Sequence, residues 1–183
     1  MAQGLPYYNL FIEQFPNVKD LAAASEDEVL RLWQGLGYYS RARNLHKCAR
    51  MVAEDFGEQF PKTFEELKSL PGIGNYTAAA IASLAFNEQV PVVDGNVYRL
   101  LSRYFGLETD TSSAIAYREF FALASGHIDK ERPGDFNQAM MEFGAIQCSP
   151  KQPACKECTL QPGCFAYNNS FITAQHTLSN ANI

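Results

Sequence analysis

Apolar positions recur at helical spacing through most of the chain. Leu45, Cys48, Ala49 and Val52 fall at i, i+3, i+4 and i+7, and Val97, Leu100, Leu101 and Tyr104 repeat that interval. The stripe returns in Tyr117, Phe120, Phe121 and Ala124, and again in Phe136, Ala139, Met140 and Phe143. Two capping boxes, Ser25 with Glu28 and Thr63 with Glu66, mark helix starts. Residues 77–86 are apolar on all sides, which predicts a central helix buried by its neighbours. No segment of useful length alternates at strand period, and residues 90–93 form only a short apolar link. The pattern predicts an all-α chain of roughly eight to ten helices joined by short loops bearing Gly and Pro. Residues 168–183 carry neither caps nor an amphipathic pattern, so a weakly ordered tail is expected there.

Composition narrows the class. With 183 residues, 46% of them hydrophobic and 19% charged, the chain can bury one core or two small lobes sharing a cleft, and wholesale disorder is excluded. The longest apolar run is too short to span a membrane, and the start, Met1-Ala2-Gln3-Gly4-Leu5-Pro6, lacks a basic segment followed by an apolar block. A cytoplasmic protein with no membrane partner is expected. The net charge of −5 does not by itself suggest nucleic acid, although DNA affinity depends on local Lys and Arg placement rather than on the sum. Arg43, Lys47 and Arg50 form one basic ridge at helical spacing, and Arg99 and Arg103 another. Solvated helix faces explain such ridges more often than phosphate contact does.

Four of the five cysteines crowd into Cys148-x6-Cys155-x2-Cys158-x5-Cys164. In a cytoplasmic chain such clustering points to metal or cofactor ligation rather than to disulfides. One loop of this kind can wrap a four-iron cluster, one thiolate to each iron. Structural zinc is the alternative, although zinc sites usually pair two short knuckles and only one is present here. Lys151 and Lys156 lie in the same loop, where the cluster could shape a basic surface. Cys48 stands apart in a helical run and is expected to be a buried small hydrophobe.

Leu70-Pro71-Gly72-Ile73-Gly74 joins a short helical pattern to the apolar run. Two glycines permit a tight turn, and free N–H groups at the following helix start can hold a phosphate. Most links of this composition are merely turns. Asp94, in Val92-Val93-Asp94-Gly95-Asn96-Val97, stands where a helix should begin and reads first as an N-cap. A carboxylate fixed at a helix start could also face a developing cation.

Together the hairpin at 70–74, the Val-Asp-Gly-Asn-Val run at 93–97 and the cysteine loop resemble the helix-hairpin-helix DNA glycosylases. Gly35-Leu36-Gly37-Tyr38-Tyr39-Ser40-Arg41-Ala42-Arg43-Asn44-Leu45 and Phe136-Asn137-Gln138-Ala139 are similar to the MutY adenine glycosylases within that superfamily. The resemblance covers about residues 5–167. Endonuclease III relatives carry a nucleophilic lysine just before the hairpin-helix threonine, where this chain reads Tyr76-Thr77. Tyrosine cannot form the Schiff base of lyase chemistry.

The resemblance implies an all-α, helix-hairpin-helix glycosylase fold: a helical barrel lobe over 5–105, a cluster lobe over 106–167 and the tail over 168–183. It implies removal of adenine mispaired with 8-oxoguanine or guanine in double-stranded DNA, after the adenine is flipped from the duplex. Asp94 would stabilise the oxocarbenium-like sugar, while Tyr76 and Asn96 line the pocket and orient Asp94 and water. Gln138 would bond the adenine edge and Tyr39 would wedge into the stack. Leu70, Gly72, Gly74 and Arg41 would contact DNA. Cys148, Cys155, Cys158 and Cys164 would hold a [4Fe–4S] cluster, with a monovalent cation at the hairpin. A monomer in the cytoplasm, associated with the nucleoid, is expected. The family's general acid is a glutamate upstream of everything here, and its 8-oxoguanine-recognising C-terminal domain lies beyond the match. The chain is therefore expected to be N-terminally incomplete and impaired, since a positioned acid contributes about 10²–10⁴-fold. The competing readings are an endonuclease III-like lyase and a non-catalytic DNA-binding module with zinc in its loop.

Overall fold

The computed structural model describes residues 4–169. It is helical throughout, with no strand among the described residues. The chain resolves into two compact units that meet in sequence at Ala78 and Ala79.

The first unit holds α1 (Leu5–Gln14), α2 (Val18–Ala23), α3 (Glu26–Leu32), α4 (Tyr39–Asp55), α5 (Phe64–Lys68) and the start of α6 (Asn75–Phe86). Asn17 caps α2, accepting from the Asp20 amide at 3.0 Å. Both capping boxes form: the Ser25 hydroxyl and amide meet Glu28, and Thr63 does likewise with Glu66. These bonds hold the Glu28 and Glu66 carboxyls below their ordinary 4.5, the side-chain hydrogen bond being the largest cause. Helices α2 and α3 pack on α4, which buries Ala42, His46, Cys48, Ala49 and Val52. Leu45 departs from its expected stripe and is exposed. The buried face instead centres on Ala42 and Ala49, whose small side chains let neighbouring helices come close. Cys48 is buried as expected, and burial pushes its thiol up from 9.0.

The second unit holds the rest of α6, α7 (Gly95–Phe105), α8 (Ala114–Ser125), α9 (Pro133–Ile146), two 3-10 turns (Cys155–Glu157 and Gln161–Gly163) and α10 (Phe165–Asn168). Val97 and Leu101 of α7 join Val93 and, from α8, Ala116, Phe120 and Ala124 in one core. Tyr98 meets Phe120 edge-on at 4.8 Å.

Two expectations fail here. Helix α6 is not buried all round: Ala78, Ala79, Ala82 and Ser83 are, while Leu84 is 54% exposed. Helix α9 fully buries Pro133, Gly134, Asn137 and Gly144, while of the expected stripe Phe136, Met140 and Phe143 are half-buried and Ala139 is exposed, so its buried face is rotated from that stripe. Close approach explains the rotation. A Cβ at Gly144 would sit 2.6 Å from the Asn96 carbonyl, so only glycine lets α9 reach α7 there.

The link at 90–93 is buried without a sheet to pair its backbone. Asn137 does that pairing: its Oδ1 accepts from the Val92 amide, and its Nδ2 donates to the Val90 carbonyl and the Ser83 hydroxyl, each at 2.9 Å. The link leads straight into Asp94, so Asn137 fixes where α7 begins. The expected tail lies, beyond Asn169, outside the described residues.

Candidate functional site

In the first unit, α5 runs into the turn at 70–74 and α6 leaves it. Leu70 is 3% exposed and anchors the turn, and the Ile73 amide closes on the Leu70 carbonyl at 3.1 Å. Gly72 has φ +79°, and a Cβ there would lie 2.6 Å from Asn44 Cβ, so both conformation and space require glycine. Gly74 has open space around it, leaving the start of α6 approachable. Helix α6 begins at Asn75, directly after this turn. Tyr76, in the first turn, is 50% exposed.

The segment before α4 presents a second exposed feature. The Trp33 indole donates to the Gly37 carbonyl at 3.0 Å, and Tyr38 then adopts left-handed φ 49° as the N-cap of α4. Such a conformation is costly for a bulky residue and worth noting when found. Tyr38 is 81% exposed, whereas Tyr39 is 41% exposed and lines an open recess with Asp27, Leu30, Arg31 and Gln34. The Arg41 guanidinium lies 5.3 Å from the Tyr38 ring and 5.7 Å from Trp33. Sequence reasoning passed over Tyr38; the two glycines just before it were the available signal. Of the expected basic ridge, Arg43 pairs with Glu26 and Arg50 with Glu54.

In the second unit Asp94 is the N-cap of α7. Its Oδ1 accepts from the amides of Asn96 (2.9 Å) and Val97 (2.8 Å), and its Oδ2 from Asn96 Nδ2 (2.9 Å). Three bonds leave acceptor capacity on a half-buried carboxylate. Asn96 Oδ1 accepts from Arg99 Nη2 at 2.8 Å, which orients the amide so that its NH2 faces Asp94. Arg99 also donates to the Gly144 carbonyl (2.5 Å) and the Cys148 carbonyl (2.9 Å). Burial first, then Arg103 beside it, holds Arg99 below its ordinary value. A continuous chain of bonds thus runs from Asp94 through Asn96 and Arg99 to the cysteine loop.

Arg103 reaches the same loop from one turn further along α7. It donates to the carbonyls of Cys148 (3.2 Å), Ser149 (2.9 Å) and Pro150 (3.0 Å), and lies 3.3 Å from Cys148 Sγ. The expected ridge of Arg99 and Arg103 is therefore not a surface ridge; both side chains turn inward to carbonyl acceptors. Cys148, Cys155, Cys158 and Cys164 line one recess with Arg103 and apolar walls from Leu100, Phe143 and Leu160. Burial, then the neighbouring thiols, raises Cys155 above 9.0. No group of three or more His, Cys, Asp or Glu among the described residues is drawn together as a single-ion site. Lys151 and Lys156 are exposed in this loop. On α9, Gln138 is exposed and donates to Glu142 at 2.6 Å.

The family profile described as "HhH-GPD superfamily base excision DNA repair protein" matches residues 1–123. The chain belongs to that superfamily.

Within the HhH-GPD superfamily the chain is similar to adenine DNA glycosylases, which bears out the resemblance to the MutY family. The mouse protein is 47% identical over 91% of this chain, and the human protein also 47% over 91%. A Buchnera aphidicola relative is 40% identical over 90%. The chain spans 33%, 31% and 47% of those three proteins, so it corresponds to only part of each. Among solved structures, a thermostable thymine-DNA glycosylase matches with TM-score 0.83 and 29% identity, covering 92% of this chain and 77% of that one. A non-covalent endonuclease III–DNA complex matches with TM-score 0.74 and 25% identity, covering 93% and 78%. The expected all-α HhH glycosylase fold is thereby borne out. No helix among the described residues is long and apolar enough to cross a membrane.

Proposed function

We propose that this chain is the helix-hairpin-helix part of an adenine DNA glycosylase, acting on adenine opposite 8-oxoguanine or guanine in duplex DNA. The observation that carries the reading is the pre-set Asp94 carboxylate, held by three donors at the start of α7. In the reaction the C1′–N9 bond breaks and its electron pair leaves with adenine, which takes up a proton. Water then adds to C1′ and gives up a proton. Positive charge on the sugar is greatest between those events, and Asp94, fixed in advance, stabilises it without reorganising. Asn96 bonds both carboxylate oxygens, Oδ1 through its backbone amide and Oδ2 through its side chain, and so fixes the plane of the carboxylate.

The hairpin meets DNA backbone at the tight turn of Gly72 and the open space at Gly74, with Leu70 as its anchor. Arg41 stiffens the exposed aromatic loop. Of the two tyrosines there, Tyr38 is the better wedge, because it stands furthest into solvent while Tyr39 turns toward its recess. Gln138 and Tyr76 are exposed groups of the kind that could meet a flipped nucleotide.

The four cysteines suit a [4Fe–4S] cluster. Four thiols surround one recess with apolar walls, and beside them Arg103 has a buried Nε without a partner among the described residues. Such a cluster would stiffen the loop and hold Lys151 and Lys156 toward phosphates.

The test is single-turnover release of free adenine from an A:8-oxoguanine duplex with the chain in excess. Release above that from an A:T duplex, lost by at least ~10²-fold in Asp94→Asn, is expected. Equal release by both chains would refute the role of Asp94. A borohydride-trapped adduct would instead favour the lyase reading; with Tyr76 in the lysine's place, none is expected.

A further inference from the structure

Arg103 is 3% exposed, and no carboxylate pairs with it among the described residues. The residues outside that range contain no aspartate or glutamate, so no side-chain carboxylate there can supply one. A buried guanidinium without an anion is unfavourable, since carbonyl dipoles satisfy its N–H groups but leave its charge uncompensated. One edge of the fork is used: Nη1 and Nη2 donate to the carbonyls of Cys148, Ser149 and Pro150. The other donor is not, because Nε is buried and unpartnered. Arg103 lines the recess of the four cysteines and lies 3.3 Å from Cys148 Sγ.

We infer that Arg103 is the buried counter-charge of the cysteine-held cluster, clamping residues 148–150 with one edge and keeping a donor for the cluster or its thiolates. The inference rests on the cluster reading above. Each thiolate is negative, and four of them make the ligated cluster a net anion, which is the missing partner for the guanidinium. Arg103 is a positioning residue and touches no DNA in this account. Removing its charge stabilises the more oxidised, less anionic cluster, so the cluster's potential must fall. A clamp that only holds the loop would affect iron retention without regard to charge.

The experiment compares the unsubstituted chain with Arg103→Gln and Arg103→Lys, each purified without oxygen and checked for helicity. Iron and acid-labile sulfide are counted, and the potential is read by voltammetry. The unsubstituted chain should hold about four irons and matching sulfide. Arg103→Gln should shift the one-electron equilibrium toward oxidation by at least tenfold, about 59 mV downward. Arg103→Lys, which keeps the charge but loses the fork, should shift it far less. Loss of iron in Arg103→Gln with retention in Arg103→Lys supports the inference equally. Equal shifts, equal iron loss or an unchanged potential in the two variants overturns it. Zinc, or no iron, in the unsubstituted chain fails the cluster reading itself and the inference with it.

Discussion

The hairpin at 70–74 and the cysteine loop at 148–164 are both irregular segments between helices, yet they are held by opposite means. The hairpin is secured mainly by near neighbours, the Thr63 capping box and a turn bond across three residues, with the left-handed Gly72 fitted against Asn44. The cysteine loop owes its position to Arg99 and Arg103, which reach it across 45 to 49 residues of sequence. The hairpin stays open, with the helix start behind it approachable, as backbone recognition of a phosphate needs. The loop is closed by the buried Arg103 and the half-buried Arg99, and is linked to Asp94 through Arg99 and Asn96. One region leaves a helix start open to solvent; the other is tied down by long-range bonds.

Substitutions should separate the two. The largest effect on stability belongs to Asn137→Ala, which leaves the Val92 amide and the Val90 carbonyl buried and unpaired. At about 1–3 kcal/mol for each group, the loss should be about 4 kcal/mol in urea unfolding, with the start of α7 displaced. A loss under about 1 kcal/mol would mean that the link at 90–93 is held by other contacts.

Next comes Gly72→Ala, which forces a left-handed residue into contact with Asn44. A cost of about 2 kcal/mol is expected, together with weaker duplex binding and an unchanged iron content. Iron loss in this variant would show that the two regions are not independent. The smallest effect is on acid stability. Glu28 and Glu66 have lowered folded pKa values, so their contribution is present above 4.5 and disappears as pH falls through those lower values. Glu66→Gln should flatten thermal stability against pH in that window, and an unaltered profile would count against the capping boxes as its source.

These contrasts follow what could be read from the chain. The capping boxes, the Asp94 cap and the glycine turn were legible because each is set by residues a few positions apart. Gly144 and Asn137 were not, since an apolar stripe is a poor guide when a helix is packed through glycine and a hydrogen-bonded amide. Arg99 and Arg103 misled for a related reason. Their helical spacing looks like a solvated ridge, and only the distant carbonyls of 144 and 148–150 turn them inward. Tyr38 escaped notice because its exposure depends on a left-handed backbone that no pattern of polarity announces. The four cysteines were legible as a group, while the counter-charge beside them was not.

The central claim is that Asp94 is fixed to meet a positively charged sugar. It is tested most directly by affinity for an 8-oxoguanine duplex carrying a cationic pyrrolidine in place of the opposing sugar, against a neutral tetrahydrofuran at the same salt. The unsubstituted chain should prefer the cation by at least about tenfold, or roughly 1.4 kcal/mol, and Asp94→Asn should lose that preference. An equal preference in both chains would contradict the account.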